Sequence, residues 1–380
     1  MDSTQTSSSW TYESNWLSGK SFDTLFIFGI LAIAVLSGVV AWNEPNLFPL
    51  ILFLDLWFLG YHHVISTFTK LAGTAQDRKD NRFLILYLPF IVVAAVALLA
   101  TGVGLWSVVT VYFFWQWYHY TRQSYGISAF YRRKSQHSTF ENPKISQAIL
   151  WSIPIWGLLH RCSQGWNLFL FQEVWLPAIP SFVATGAGLI SVGLLLYWLT
   201  DRAVAFRNGT LPLGHTLYMA SHFSAFFVGY VLIPDINIGW LVANIWHNAQ
   251  YILFVWLYNT KRFEKPEMRV KSVLGWASQI KPVRVLAYFS GCLIITTVVY
   301  KGITTSLNLA LSYEGALLTT MYVITFQTIN FHHYVVDSLI WKARKKANQK
   351  VMLGHASVPK SSKNLKTDRG LASKKQPAGE

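Results

Sequence analysis

Charge is what this sequence lacks most. Asp, Glu, Lys and Arg make up 13% of its 380 residues, where a soluble globular chain carries about 25%. Apolar residues reach 52%, too many for a water-facing protein with so few charges to cover them, and lipid is the expected solvent. Cysteine is nearly absent: Cys162 and Cys292 lie far apart in apolar runs, which excludes a disulfide framework and a cysteine metal site. The five methionines offer no copper pathway. No internal repeat and no soluble domain stand out. The first 22 residues lack the cationic start of a cleavable signal peptide, so the first apolar run is expected to act as the insertion signal.

Aromatics and long apolar runs are abundant. Seventeen Trp and eighteen Tyr suit two interfacial belts. A bilayer core takes roughly 20 apolar residues as a helix, and the chain reads as about ten such spans: 24–43, 47–69, 83–104, 106–131, 146–163, 178–200, 212–233, 238–258, 284–304 and 316–341. The polar stretch 164–177 reads as interfacial or re-entrant. The net charge of +15 is not that of a nucleic-acid binder, because the cations collect in alternate connections. Lys70, Arg78, Lys79 and Arg82 follow the second span, Arg132, Arg133, Lys134 and Lys144 the fourth, and Arg202 and Arg207 the sixth. Lys261 to Arg284 follow the eighth and Lys342 to Lys346 the tenth, while the intervening connections hold Arg161 and Lys301. Positive loops stay in the cytoplasm. The expectation is an all-α polytopic membrane bundle with both termini cytoplasmic: a polar segment 1–22, a transmembrane domain 23–342, and a basic, disordered tail 343–380. The charge rule orients helices without naming the bilayer. A bacterial plasma membrane is the first reading and an organelle membrane the second.

Histidine is the residue type that points to chemistry. His62 and His63 fall in the second span, His119 in the fourth, His247 in the eighth, and His332 and His333 in the tenth. Ionisable groups inside a membrane are costly and usually functional. At 1.5 Å per residue, His62, His119, His247 and His332 lie about 22, 20, 14 and 24 Å from the outer ends of their helices, compatible with one layer. Imidazoles from several helices at one depth are a ligand set for iron, zinc or copper, and a metal offsets the cost of burying them. His222 is a further candidate at similar depth. Partners to orient these rings are spaced along the same helices. Asp337 follows His333 by four residues, Asp55 precedes His62 by seven, Gln116 and Gln123 flank His119, and Asn244 and Tyr251 flank His247. Against this stands the simpler role of a span histidine as an interhelical hydrogen-bond residue. Adjacent histidines diverge by about 100° on a helix, so each pair is expected to supply one ligand and one hydrogen-bond partner, or to serve two metals. Arg122, one turn beyond His119, reads either as a snorkelling residue or as an anchor for an anionic substrate headgroup.

Three local resemblances attach to these motifs. The intramembrane histidine clustering resembles membrane desaturases and hydroxylases, which implies two irons, although the chain has no HxxxH or HxxHH box. His247-Asn248-Ala249-Gln250-Tyr251 with the later His332-His333 is similar to the copper-site pattern of haem-copper oxidases, at a longer spacing and without the haem-ligand signature. Trp246-His247-Asn248-Ala249 with Tyr251 and Trp256 resembles the catalytic-histidine region of membrane-bound O-acyltransferases, with Asn248 where that family has glycine. Each covers under about a tenth of the chain, and none assigns a family. The expected function is a membrane metalloenzyme, with iron as the first choice of metal. It would oxidise, hydroxylate or desaturate a lipid-soluble substrate, with an electron-donor protein as partner. The alternatives are an acyltransferase using His247, a haem-binding electron carrier, or a proton-coupled transporter.

Overall fold

The computed structural model describes residues 15–135, 142–265, 272–311 and 315–354. They are helical apart from one small hairpin. In chain order the helices are α1 (Lys20–Asn43), α2 (Pro45–Leu71), α3 (Ala75–Asp80), α4 (Arg82–Leu86), α5 (Leu88–Gly102), α6 (Leu105–Lys134) and α7 (Pro143–Ser163). After the hairpin come α8 (Ser181–Arg207), α9 (Leu213–Phe227), α10 (Ile236–Arg262), α11 (Val273–Ala277), α12 (Pro282–Ala310), α13 (Gly315–Ile340) and α14 (Lys346–Leu353). Every apolar segment read from the sequence is helical; the third is broken between α4 and α5 ahead of Pro89, whose ring and missing N–H interrupt a helix.

Four helices, α1, α2, α8 and α12, are long and apolar enough to cross a membrane. They are also the outer ones: only 22–33% of their most apolar windows is buried. The opposite case is α10, buried at nearly every position from Ile236 to Asn259, as a helix surrounded by others must be. Its start is fixed by Asp235, which accepts from the N–H groups of Asn237 (2.8 Å) and Ile238 (2.9 Å). Small residues let it sit close to its neighbours: Gly38 of α1 faces Val242, and the backbones of Gly229 and Gly239 touch where any side chain would collide.

Several residues counted from the sequence as loop charges have structural roles. The Arg161 guanidinium is buried and donates to the carbonyls of Gly229 (2.9 Å), Ile233 (2.5 Å) and Pro234 (2.7 Å). It thereby caps carbonyls that the end of α9 and its following π turn, Val228–Leu232, leave open. Lys70 is buried too, donating to Asn348 Oδ1 (2.8 Å) with its ammonium over the Tyr258 ring (3.6 Å). That contact anchors α14, which corrects the expectation of disorder from residue 343. Residues 346–353 form a helix because Asn348, Met352 and Leu353 find buried sites against the bundle; the tail beyond 354 lies outside the described residues. In the same way Asp23 gathers the polar N-terminal segment, accepting from the N–H groups of Leu17, Ser18 and Gly19 at 3.0 Å each and from the Tyr131 hydroxyl. Lys261 donates to the carbonyls of both Leu17 (2.6 Å) and Met352 (2.8 Å), so the two described ends of the chain meet at the C-terminal end of α10.

Within the stretch 164–177 lies a hairpin of Leu168–Phe169 and Gln172–Glu173, turning through Leu170 (φ 49°) and Phe171 (φ 65°). Two left-handed residues close a tight hairpin but are costly for non-glycine side chains. Asn237 holds the turn through the Leu170 N–H (2.7 Å), and Phe169 is fully buried between Phe113 and Trp240.

Candidate metal centre

Four of the six candidate ligands converge. His63 on α2, His119 on α6, His247 on α10 and His333 on α13 are all buried and stand ring against ring. His119 lies 5.0 Å from His247 and 5.1 Å from His333 between ring centres, and His63 lies 4.6 Å from His333 and 5.5 Å from His247. Asp337, expected as an orienting partner, stands among them as a potential ligand. Its Oδ2 is 3.5 Å from His333 Nε2, one turn back on α13, and 3.9 Å from His119 Nε2. His63 Nε2 and His333 Nε2 are 3.1 Å apart. Two ligands each about 2.1 Å from a metal stand roughly 3.0 to 3.4 Å apart at octahedral or tetrahedral angles. Of the observed separations, 3.1 Å falls within that span, 3.5 Å just above it and 3.9 Å further beyond it. His119, His333 and Asp337 thus form a buried group able to hold a metal ion.

Trp341 Nε1 can only donate, and does so to the Tyr251 oxygen (2.8 Å), while the Tyr251 hydroxyl donates to Asp337 Oδ1 (2.7 Å). Thr67 Oγ1 lies 2.8 Å from the same oxygen, 3.0 Å from His333 Nδ1 and 3.2 Å from the His63 carbonyl, so its one proton has more than one acceptor. Where Thr67 donates to Tyr251, His333 Nδ1 carries the proton of its bond to Thr67, and the lone pair of Nε2 turns toward His63 and the Asp337 carboxylate. A ring nitrogen lone pair facing a carboxylate oxygen is unfavourable unless a cation or a proton lies between them. His119 Nε2, His63 Nδ1 and both nitrogens of His247 are buried with no hydrogen-bond partner among the described residues. Buried polar atoms are usually satisfied, and these open nitrogens are available to a ligand.

The other expected residues are placed elsewhere. His62 Nδ1 lies 3.1 Å from its own helix's Phe58 carbonyl and its ring meets Phe289. His332 Nε2 is 2.8 Å from the Leu84 carbonyl at the α4–α5 break. His222 is 2.9 Å from the Leu150 carbonyl, among Phe226 and Trp246. None of these three joins the cluster. A π turn over Asp55–Tyr61 explains the choice within the first pair: it inserts one residue's worth of helix, so Asp55 shares its face with His63, not with His62. Asp55 itself accepts from Asn244 Nδ2 (2.5 Å). Asn244 Oδ1 accepts from the Tyr120 hydroxyl and from Gln116 Nε2. This second network reaches the cluster only through the Tyr120 ring, stacked 3.9 Å from His247. Gln123 donates weakly to the His247 carbonyl (3.4 Å). Sequence reasoning passed over Thr67, Tyr120, Tyr334 and Trp341. Thr67 was within reach, since it follows His63 by one turn.

On one side the cluster is open. A cavity of about 530 Å³ begins at His119, Tyr251 and Asp337, passes Trp115, Tyr118 and Tyr334, and ends among Arg122, Arg132, Arg133, Lys342 and Arg344. Searches against protein-family models, curated proteins and solved structures found no match to this chain.

Proposed function

We propose that the chain is a multi-pass membrane metalloenzyme in which His119, His333 and Asp337 hold a transition-metal ion, with His63 and His247 as further ligands, and that it acts on a lipid-soluble substrate. One observation carries this reading: His119, His333 and Asp337 bring their ligand atoms within 4.8 Å of one another inside a buried cluster where His119 Nε2, His63 Nδ1 and both His247 nitrogens have no hydrogen-bond partner among the described residues. A mixed imidazole and carboxylate donor set suits iron, the first choice, with zinc and copper as the alternatives. Support for a ten-span bundle comes from the helical state of every apolar segment and from the meeting of both described ends at one end of α10. Under this reading Tyr251 and Thr67 orient the ligands, and the Tyr120 and Tyr334 rings, stacked on His247 and His119, keep them from turning. The bound metal would supply activation of dioxygen, the oxidant, which takes two electrons from the substrate and two from a separate donor protein and ends as water or as water and a hydroxyl group. A role for His247 as a lone general base fits less well, because neither of its ring nitrogens has an orienting partner.

The test is elemental analysis and an optical spectrum of detergent-purified protein, wild type beside a His119→Ala, His333→Ala double variant. Near-stoichiometric metal in the wild type and none in the variant is the expected result; a Soret band would replace the ligand set with haem. A folded, metal-free wild type that stays empty after reconstitution sinks the proposal.

A further inference from the structure

The cavity beside the cluster is asymmetric in charge and in burial. Its inner end carries buried His119 and Asp337, and among the described residues Asp337 is the only carboxylate that lines it. Its outer end carries five cationic side chains, of which Arg122, Arg133 and Arg344 are exposed. The Arg122 guanidinium stands over the Tyr125 ring, 5.2 Å from its centre. Between the two ends the walls are aromatic, and Tyr118, on the same helix as His119 and Arg122, is 46% exposed on the outside of the bundle. Arg133 donates to the Ala343 carbonyl, and the five cations together make a positive rim that attracts an anion. The chain's own C-terminal tail is a poor candidate for that anion, because residues 355–380 are themselves basic.

We infer that this cavity binds a single-chain anionic amphiphile, with its carboxylate or phosphate headgroup among Arg122, Lys342 and Arg344 and its hydrocarbon against Trp115, Tyr118 and Tyr334. This rests on the membrane-metalloenzyme reading for what happens to the ligand, but not for its binding. Arg122 follows His119 by one turn and Lys342 follows Asp337 by five residues. A headgroup there stands within about one to two helical turns of the metal group. The first carbons of the chain, not its middle, face His119 and Asp337, and the remainder leaves past Tyr118 into the bilayer. The volume of about 530 Å³ accommodates a headgroup and a short run of chain, with the rest in lipid.

The experiment is equilibrium binding of radiolabelled oleate, oleyl phosphate and oleyl alcohol to purified full-length protein in an uncharged detergent, with and without prior chelation. Saturable binding of one or both anions, at least ~10-fold tighter than the alcohol and weakening as salt rises, is the expected result. Which anion binds identifies the headgroup. An Arg122→Gln, Arg344→Gln double variant loses that preference while its metal content is unchanged, and Arg122→Lys, Arg344→Lys recovers part of it. Equal affinity for alcohol and anions, no saturable binding, or an unchanged preference in the Gln variant each overturns the proposal. Anion binding that survives in metal-free protein separates this result from failure of the metal site.

Discussion

Each doubled histidine is a controlled comparison, two imidazoles one residue apart on one helix. His63 and His333 turn inward and meet, 3.1 Å apart between Nε2 atoms. His62 and His332 turn away and each finds a backbone carbonyl, at 3.1 and 2.8 Å. Residue type, depth and sequence neighbourhood are the same within each pair, so the difference is one of helical phase alone. Burial of a polar ring among helices is offset in two ways here: by a main-chain acceptor for one member of each pair, and by the facing imidazole for the other. A histidine-rich span is thus no measure of how many ligands a site has.

The comparison breaks most sharply under substitution. His333→Ala is expected to lower metal affinity by ~100-fold or more, as loss of a direct ligand does, whereas His332→Ala leaves metal content intact; equal losses from the two would erase the distinction. Asp337→Asn keeps the shape but removes the charge, and affinity falls by ~10- to 100-fold in a metal titration. Tyr251→Phe removes the hydroxyl that donates to Asp337 Oδ1, at a smaller cost of ~10-fold. At the bottom of the scale His62→Ala and His332→Ala each remove one hydrogen bond to a carbonyl. They lower stability by about 1 kcal/mol, read as a modest fall in thermal midpoint with unchanged metal stoichiometry.

The layer was legible in the sequence and the choice of ligands was not. Apolar runs of bilayer length gave helices, and counting residues from their outer ends put four histidines at one depth. Which member of a pair points inward depends on helical phase, and a π turn over Asp55–Tyr61 shifts that phase with no signal in residue type. Asp337 was visible as a neighbour of His333, but its approach to His119 on α6 comes from the packing of α13 against α6. Arg161 and Lys70 were read as topology charges. Their burial follows from carbonyls and an amide supplied by segments far away in the chain. The helix at Lys346–Leu353 was hidden by its basic composition, and only Asn348, Met352 and Leu353 hold it down.

The π turn in α2 also bears on how this chain tolerates a change in length. A single-residue deletion inside a regular helix rotates everything beyond it by about 100° and carries the far residues off their face. Across Asp55–Tyr61 the helix already holds one residue more than a regular helix needs. Removing one residue there closes the wide turn and leaves both Asp55 and His63 facing α10. The same deletion a few residues later, between His63 and Thr67, has no slack to absorb it and strips Thr67 from His333. The segment just ahead of His63 is therefore where the helix can lose a residue and keep its histidine cluster, and the segment just after it is where it cannot.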